Sequence, residues 1–162
     1  MFIYTIRAST LRFFMCIFLC LAVFVTLISF GTGGSVYASV DGREIDYSGI
    51  RDNDDRVAFI ESFGIKVKTD AVSEESFTIP SEFDRIIEEY NQIQKRQGLD
   101  LSKYQKKRVT HYAYEVTNYD YDGSVYVNLI VHRGRIIAAD IASTSGGGFV
   151  LPLIEVDTGK LK

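Results

Sequence analysis

Residues 81–104, S-E-F-D-R-I-I-E-E-Y-N-Q-I-Q-K-R-Q-G-L-D-L-S-K-Y, constrain the fold more than any other stretch, because they hold a helix with a start, an apolar stripe and a stop. Pro80 stands just outside it. Ser81 is suited to be its N-cap, with Asp84 three residues on in the capping-box position. Phe83, Ile86, Ile87, Tyr90 and Ile93 recur at helical spacing and predict one buried face. Gly98 falls where a left-handed residue ends a helix. Acids come early (Glu82, Asp84, Glu88, Glu89) and bases late (Lys95, Arg96), the order that the helix dipole favours. A helix of this kind must cover a sheet or another helix, and none of its residues is a reaction centre.

The second half of the chain supplies the sheet. Residues 108–119, 124–132 and 135–143 alternate apolar and polar side chains and are rich in Val, Thr, Ile and Tyr. Asp122-Gly123 and Arg133-Gly134 mark turns between them, which makes neighbouring strands antiparallel. A two-residue turn at Arg133-Gly134 sets Leu129 opposite Ala138, Val127 opposite Asp140 and Ile130 opposite Ile137. Ahead of the helix, residues 65–69 alternate as a strand and 77–79 as a shorter one. Asp52 to Gly64 reads as a short capped helix with Val57, Phe59, Ile60 and Phe63 turned inward. The expected fold class is α+β, two helices packed on one face of an antiparallel sheet, preceded by an N-terminal transmembrane or signal helix.

That preceding segment is residues 13–30, eighteen positions without a charge and apolar on every face. As a helix they extend roughly 27 Å, close to the thickness of a bilayer's hydrocarbon core. Arg7 and Arg12 precede the run and no acid does, so residues 1–12 stay in the cytoplasm and the remainder crosses. The segment reads as an uncleaved anchor, the run being longer than a signal-peptide core. Alternatively it is removed after Ala38, because Val36 and Ala38 have the spacing of a cleavage site. Residues 31–50 then form a spacer and possible edge strand, and residues 51–162 an extracytoplasmic α+β domain. The localisation expected is the cell membrane, single-pass with the domain outside, or secretion after cleavage. Both cysteines, Cys16 and Cys20, lie within the apolar run, so the exported part has no disulfide, thiolate ligand or cysteine nucleophile.

With Arg7 and Arg12 set aside, the exported part carries 16 basic and 21 acidic residues, a net charge of −5. That excludes nucleic acid as a general partner. One local excess stands out: Lys95, Arg96, Lys103, Lys106, Lys107 and Arg108 fall within fourteen residues that contain one acid, Asp100. The dipole explains the first two. Lys103, Lys106, Lys107 and Arg108 form either a solvated face or a patch for anionic lipid or anionic envelope polymer. Tyr90, Asn91, Gln94, Gln97 and Asp100 form a polar set that either binds a ligand or fastens the helix end to the loop after it. Asp140 interrupts an apolar strand, which costs free energy unless the carboxylate is hydrogen-bonded. His111 and His132 fall on adjacent strands, with Asp140 or Glu115 the nearest third ligand for a metal, but the pairing above puts the two rings on opposite faces. No metal or cofactor is expected.

With these residues laid out, the chain resembles a family of domains of unknown function found in exported or membrane-anchored proteins of Gram-positive bacteria. The resemblance rests on Ile79-Pro80, then on Tyr90-Asn91-x-Ile93-Gln94-Lys95-x-Gln97-Gly98-x-Asp100-Leu101-x-x-Tyr104. It continues through Val109-Thr110-x-Tyr112-x-Tyr114-x-Val116-x-Asn118-Tyr119 to Ile136-Ile137-x-x-Asp140 and Gly148-Phe149. It implies location and fold, and no activity. Two departures stand out: Gln105-Lys106-Lys107 occupies a place where the family favours a glycine, and Ala138-Ala139 a place where it favours a pair. If those glycines admit a ligand to the backbone, that feature is lost here.

Catalytic motifs are absent. The Gly146–Gly148 run lacks the helix and Lys of a phosphate loop, Asp120-x-Asp122-Gly123 lacks the later acid of a calcium loop, and no serine has a nucleophile-elbow context. The expected function is a non-enzymatic binding or regulatory module of the cell envelope, its partner an envelope protein or anionic polymer. The alternative is a small envelope hydrolase with Asp140, Glu115 or a histidine as acid-base group. A third reading is an assembly subunit that docks through the apolar residues 144–154.

Overall fold

The computed structural model describes residues 38–40 and 43–162. The expected membrane or signal helix at 13–30 and most of the spacer lie outside the described residues. The described residues belong to one compact unit.

Two short strands, β1 (Ala38–Val40) and β2 (Arg43–Ile45), pair with each other and not with the main sheet. Helix α1 (Asn53–Glu61) follows, capped by Asp52, whose side chain accepts from the Asp55 amide. Strand β3 (Ser73–Thr78) leads to helix α2 (Arg85–Arg96) and a 3-10 turn at Leu101–Tyr104. Then come β4 (Arg108–Glu115), β5 (Tyr126–His132), β6 (Arg135–Ser143) and β7 (Phe149–Pro152). The main sheet is antiparallel throughout, in the order β3-β4-β5-β6-β7. The fold class is α+β.

The helices do not share a face. Phe59 and Ile60 of α1 pack with Tyr114, Val127, Leu129 and Ile141, while Tyr90 of α2 and Phe83 before it pack with Val109, Ile130 and Ile137. These two clusters draw on alternate residues of the same strands, so they lie on opposite sides of the sheet. The expectation of one covered face fails because α1 and α2 both had apolar stripes and nothing in a stripe says which side it seeks.

Helix α2 departs from its expected form at its start and on its buried face. It begins at Arg85 with Asp84 as the N-cap, accepting from the Ile87 amide at 2.8 Å, so Ser81 is not the cap. Its end is as expected: Gly98 has φ 79, its amide bonds the Lys95 carbonyl, and the Leu99 amide bonds that of Gln94, a Schellman ending. The buried face, however, is polar. Asn91, Gln94 and Gln97 are fully buried, while Ile86 is 71% exposed. Packing satisfied those amides where the apolar spacing pointed elsewhere.

Strand β6 contains the deciding irregularity. The Arg133-Gly134 turn has φ 48 and 74, the two positive angles of a two-residue hairpin loop, and near it His132 faces Arg135 and Val131 faces Ile136 as expected. A bulge then makes Ile137 an extra residue, and inward of it the pairs are Ile130 with Ala138, Leu129 with Ala139, Asn128 with Asp140 and Val127 with Ile141. The pairs expected from the turn alone are therefore displaced by one position. The consequence is chemical: Asp140 leaves the face of the larger apolar core and stands opposite Asn128 on the α2 side.

Residues 65–69 touch the sheet at a single bridge, Val67 with Val116, and do not form a ladder strand. The apolar tail is packed in part within its own domain: β7 pairs with β6 and Leu153 is buried, while Val150 is left exposed.

Candidate functional site

The bulge brings together a chain of polar side chains that sequence spacing left apart. Tyr90, from α2, donates its hydroxyl to Asp140 Oδ1 at 2.6 Å, and Asn128 donates Nδ2 to Asp140 Oδ2 at 2.8 Å. Asn128 Oδ1 lies 3.1 Å from His111 Nε2 on β4. An ionised carboxylate only accepts, so Asn128 must turn its amide nitrogen to Asp140 and its oxygen to His111, and His111 Nε2 is then the donor. Glu75 on β3 stands directly across from His111. The row therefore crosses four strands and ends on a helix.

Asp140 is 2% exposed. Burial pushes its carboxyl above the usual 3.8, and the donors Tyr90 and Asn128 with the nearby His111 pull the other way without overcoming it. The Tyr90 hydroxyl is raised well above 10, first by burial and then by the Asp140 carboxylate. These groups floor a cavity of about 380 Å³ whose walls include Phe77, Ile130, Ala142 and Val150. A second hollow of about 480 Å³ adjoins it, sharing Asn128 and Ala142. The floor groups bond one another, and no two titratable groups are left free to converge on a reacting atom.

The other expected site residues are elsewhere. Glu115 pairs with Lys68 at 2.6 Å, at the far end of β4 from Arg108, and does not join Asp140. His111 and His132 prove to lie on the same face, since β4 pairs His111 with Ile130 two residues before His132; the offset assumed from the turns was wrong. They still do not meet: His132 Nδ1 bonds the Arg108 carbonyl at 2.9 Å and its ring packs on Tyr104. Among the described residues no three His, Cys, Asp or Glu side chains are grouped to hold a metal ion.

The polar set of α2 fastens structure. Asn91 receives the Leu101 amide and donates to Asp100. Burial alone would raise Asp100, but bonds from Ser102 and Asn91 outweigh it and leave the carboxyl below its usual value. Gln94 accepts from the Ala139 amide, Gln97 donates to the Ala139 carbonyl, and the Leu153 amide donates to Gln97. The two glutamines thus continue the β6 ladder past Pro152, where β7 ends for want of a donor. Within this set, Gln94 Nε2 has no hydrogen-bond partner among the described residues. Ala139, at the place of a favoured glycine, has both backbone groups occupied by these amides. At the other departure Lys106 has φ 61, so a glycine there relieves the backbone and need not admit a ligand.

Lys103, Lys106, Lys107 and Arg108 are all exposed, and none forms an ion pair among the described residues. The Lys106 amide bonds the Ile79 carbonyl and the Ile79 amide the Lys107 carbonyl, which fixes this turn against the end of β3. Arg133, exposed at the hairpin tip, belongs to the same sheet end, because β4 starts where β5 finishes. Sequence reasoning missed Asn128, Phe77 and Val150; the signal for Asn128 was a polar residue set between Tyr126 and Ile130 on one strand face.

A family model described as a domain of unknown function, DUF4830, matches residues 59–141, half of the chain. The chain belongs to the DUF4830 family. The DUF4830 match runs from α1 to β6 and contains the whole Tyr90–Asp140–Asn128–His111 row. Neither the curated proteins nor the solved structures gave a match.

Proposed function

We propose that this DUF4830 chain is a non-enzymatic binding module of the cell envelope, held outside the cytoplasm by residues 13–30 or released after Ala38. Its basic sheet end meets an anionic membrane surface. The observation that carries this reading is the exposure of Lys103, Lys106, Lys107 and Arg108 on one fixed turn, without ion-pair partners among the described residues, beside Arg133. Each such base near an anionic surface contributes roughly 1 kcal/mol. A short spacer after residue 30 keeps the domain near that surface. The host proteins are exported or anchored proteins of Gram-positive bacteria, as the resemblance of the motifs implies.

Residues 38–162 sedimented with vesicles of phosphatidylglycerol, and not with phosphatidylcholine, would support the reading. Replacing Lys103, Lys106, Lys107 and Arg108 by Ser should weaken that binding at least about tenfold and flatten its dependence on salt. Unchanged affinity refutes the surface, and a reporter at Lys162 that reads cytoplasmic refutes the location. A hydrolase acting through Asp140, Glu115 or a histidine has less support, since Asp140 is enclosed by its own donors and Glu115 is held by Lys68.

A further inference from the structure

We propose that the part of the sheet face left open beside α2 is a docking groove for an amphipathic helix of a partner protein, one with basic residues flanking its apolar stripe. The first support is the distribution of exposed apolar side chains. Among the described residues four large hydrophobic side chains are strongly exposed, and three of them, Val72 (52%), Phe77 (40%) and Val150 (43%), line the two adjoining hollows. The fourth, Ile86, stands on α2 one turn before Tyr90, on the same helical face. Scattered exposed apolar residues need no explanation, but a contiguous set around a hollow marks an interaction surface.

The shape favours a helix. Ile137 packs under α2 and Ile130 walls the nearer hollow, while farther into the open part the strands present Ala113, Asn128 and Ala142, and the two alanines let an approaching backbone come close. The hollows run across the strands and are not confined to the β3 or β7 edge, so an added strand would not fill them. The wall on one side is α2 itself, the arrangement in which a second helix lies beside a first on one sheet.

Charge chooses the partner. Neither hollow is lined by Lys or Arg, while Asp140 lies in the floor and the exposed Glu75 pairs across from His111, which lines the first hollow. A second copy of this chain would bring the same acids to the contact. Its described helices are also committed, α1 to one core cluster and α2 to the other. A helix carrying Lys or Arg next to its stripe complements Asp140 and Glu75. This inference does not rest on the basic sheet end, which is a separate surface.

The test uses residues 38–162, which contain both core clusters, and a labelled peptide of roughly 18 residues, about five helical turns. The peptide has Leu at i, i+3, i+4 and i+7 and Lys elsewhere. One control keeps the composition and scrambles the stripe; another replaces Lys by Glu. Fluorescence anisotropy should show the striped Lys peptide binding at least tenfold more tightly than either control. Phe77→Ser and Val150→Ser, both at exposed positions, should each weaken it roughly tenfold, and Glu75→Lys severalfold. The four-Ser variant of the basic end should leave it unchanged, which separates this result from failure of the membrane reading. Equal binding of the scrambled peptide, or indifference to both Phe77→Ser and Val150→Ser, overturns the proposal. So does self-association of the unmodified domain that Phe77→Ser abolishes, since the occupant would then be a second copy.

Discussion

Gln97→Leu tests whether the buried polar face of α2 holds the sheet edge. Gln97 is fully buried, and its side chain bonds the Ala139 carbonyl, the Leu153 amide and Gln94 Oε1. Leucine has similar volume, so the cavity contribution is small and the change isolates hydrogen bonding. It leaves two buried backbone groups without partners, the Ala139 carbonyl and the Leu153 amide, each costing about 1–3 kcal/mol. Gln94 keeps the Ala139 amide as a donor and is not orphaned at its oxygen. Allowing about 1 kcal/mol for the apolar gain of leucine, the expected loss is about 1–5 kcal/mol. Urea denaturation of residues 38–162 followed by circular dichroism measures it, with an unchanged slope showing that the unfolded state is not altered. The control is Gln92→Leu on the exposed side of the same helix, where Gln92 bonds only Glu88 and the effect should stay within about 0.5 kcal/mol. Equal effects at the two positions would refute the argument, because the amides would then be incidental to the fold.

Asp140→Asn addresses pH. Burial raises the Asp140 carboxyl in the folded state, so the folded chain holds this proton more tightly than the unfolded chain. The associated stability is present below the ordinary 3.8 and is lost as pH rises through the raised folded value. Unfolding free energies from urea curves at pH 3.5 and upward should therefore fall for the unmodified domain relative to Asp140→Asn, by about 1.4 kcal/mol for each pH unit by which the carboxyl is raised; parallel profiles would contradict this. Lys106→Gly should stabilise the domain by about 0.5–1 kcal/mol, since left-handed backbone costs a non-glycine residue about 1–2 kcal/mol and added chain freedom returns part of it. A loss of stability on the same urea curves would show that the Lys106 side chain makes a contact more valuable than the relieved backbone.

The sequence could be read where one local cause decides the outcome. Gly98 ends α2 because its backbone angle is left-handed, and Arg133-Gly134 turns the hairpin because that loop needs two positive angles. Both causes are properties of the residues at the spot. The buried face of α2 was not legible, because apolar periodicity counts Ile86 and passes over Asn91, Gln94 and Gln97. Gln94 and Gln97 are buried where Pro152 ends a ladder some fifty residues away in sequence, leaving Ala139 and Leu153 to be satisfied, and Asn91 is buried against the loop that follows the helix. A contact of that kind is set by topology.

The candidate site failed to appear for a related reason. The turn fixes the register of β5 and β6, but a single extra residue at Ile137 inverts which face every later residue of β6 occupies. The run Ile136-Ile137-Ala138-Ala139 does not alternate, and that break in period is the one trace the bulge leaves in the sequence. Without it Asp140 would face Val127 in the larger core, unpaired and costly; with it Asp140 meets Asn128 and Tyr90. The buried acid and the bulge therefore require each other. Deleting Ile137 removes the extra residue and still leaves Ala138 opposite Ile130 and Asp140 opposite Asn128. It should therefore cost no more stability than Ile137→Ala, whose loss is about 2–5 kcal/mol for an emptied buried position. A much larger loss on urea curves would show that Asp140 had left Asn128 and entered the apolar cluster.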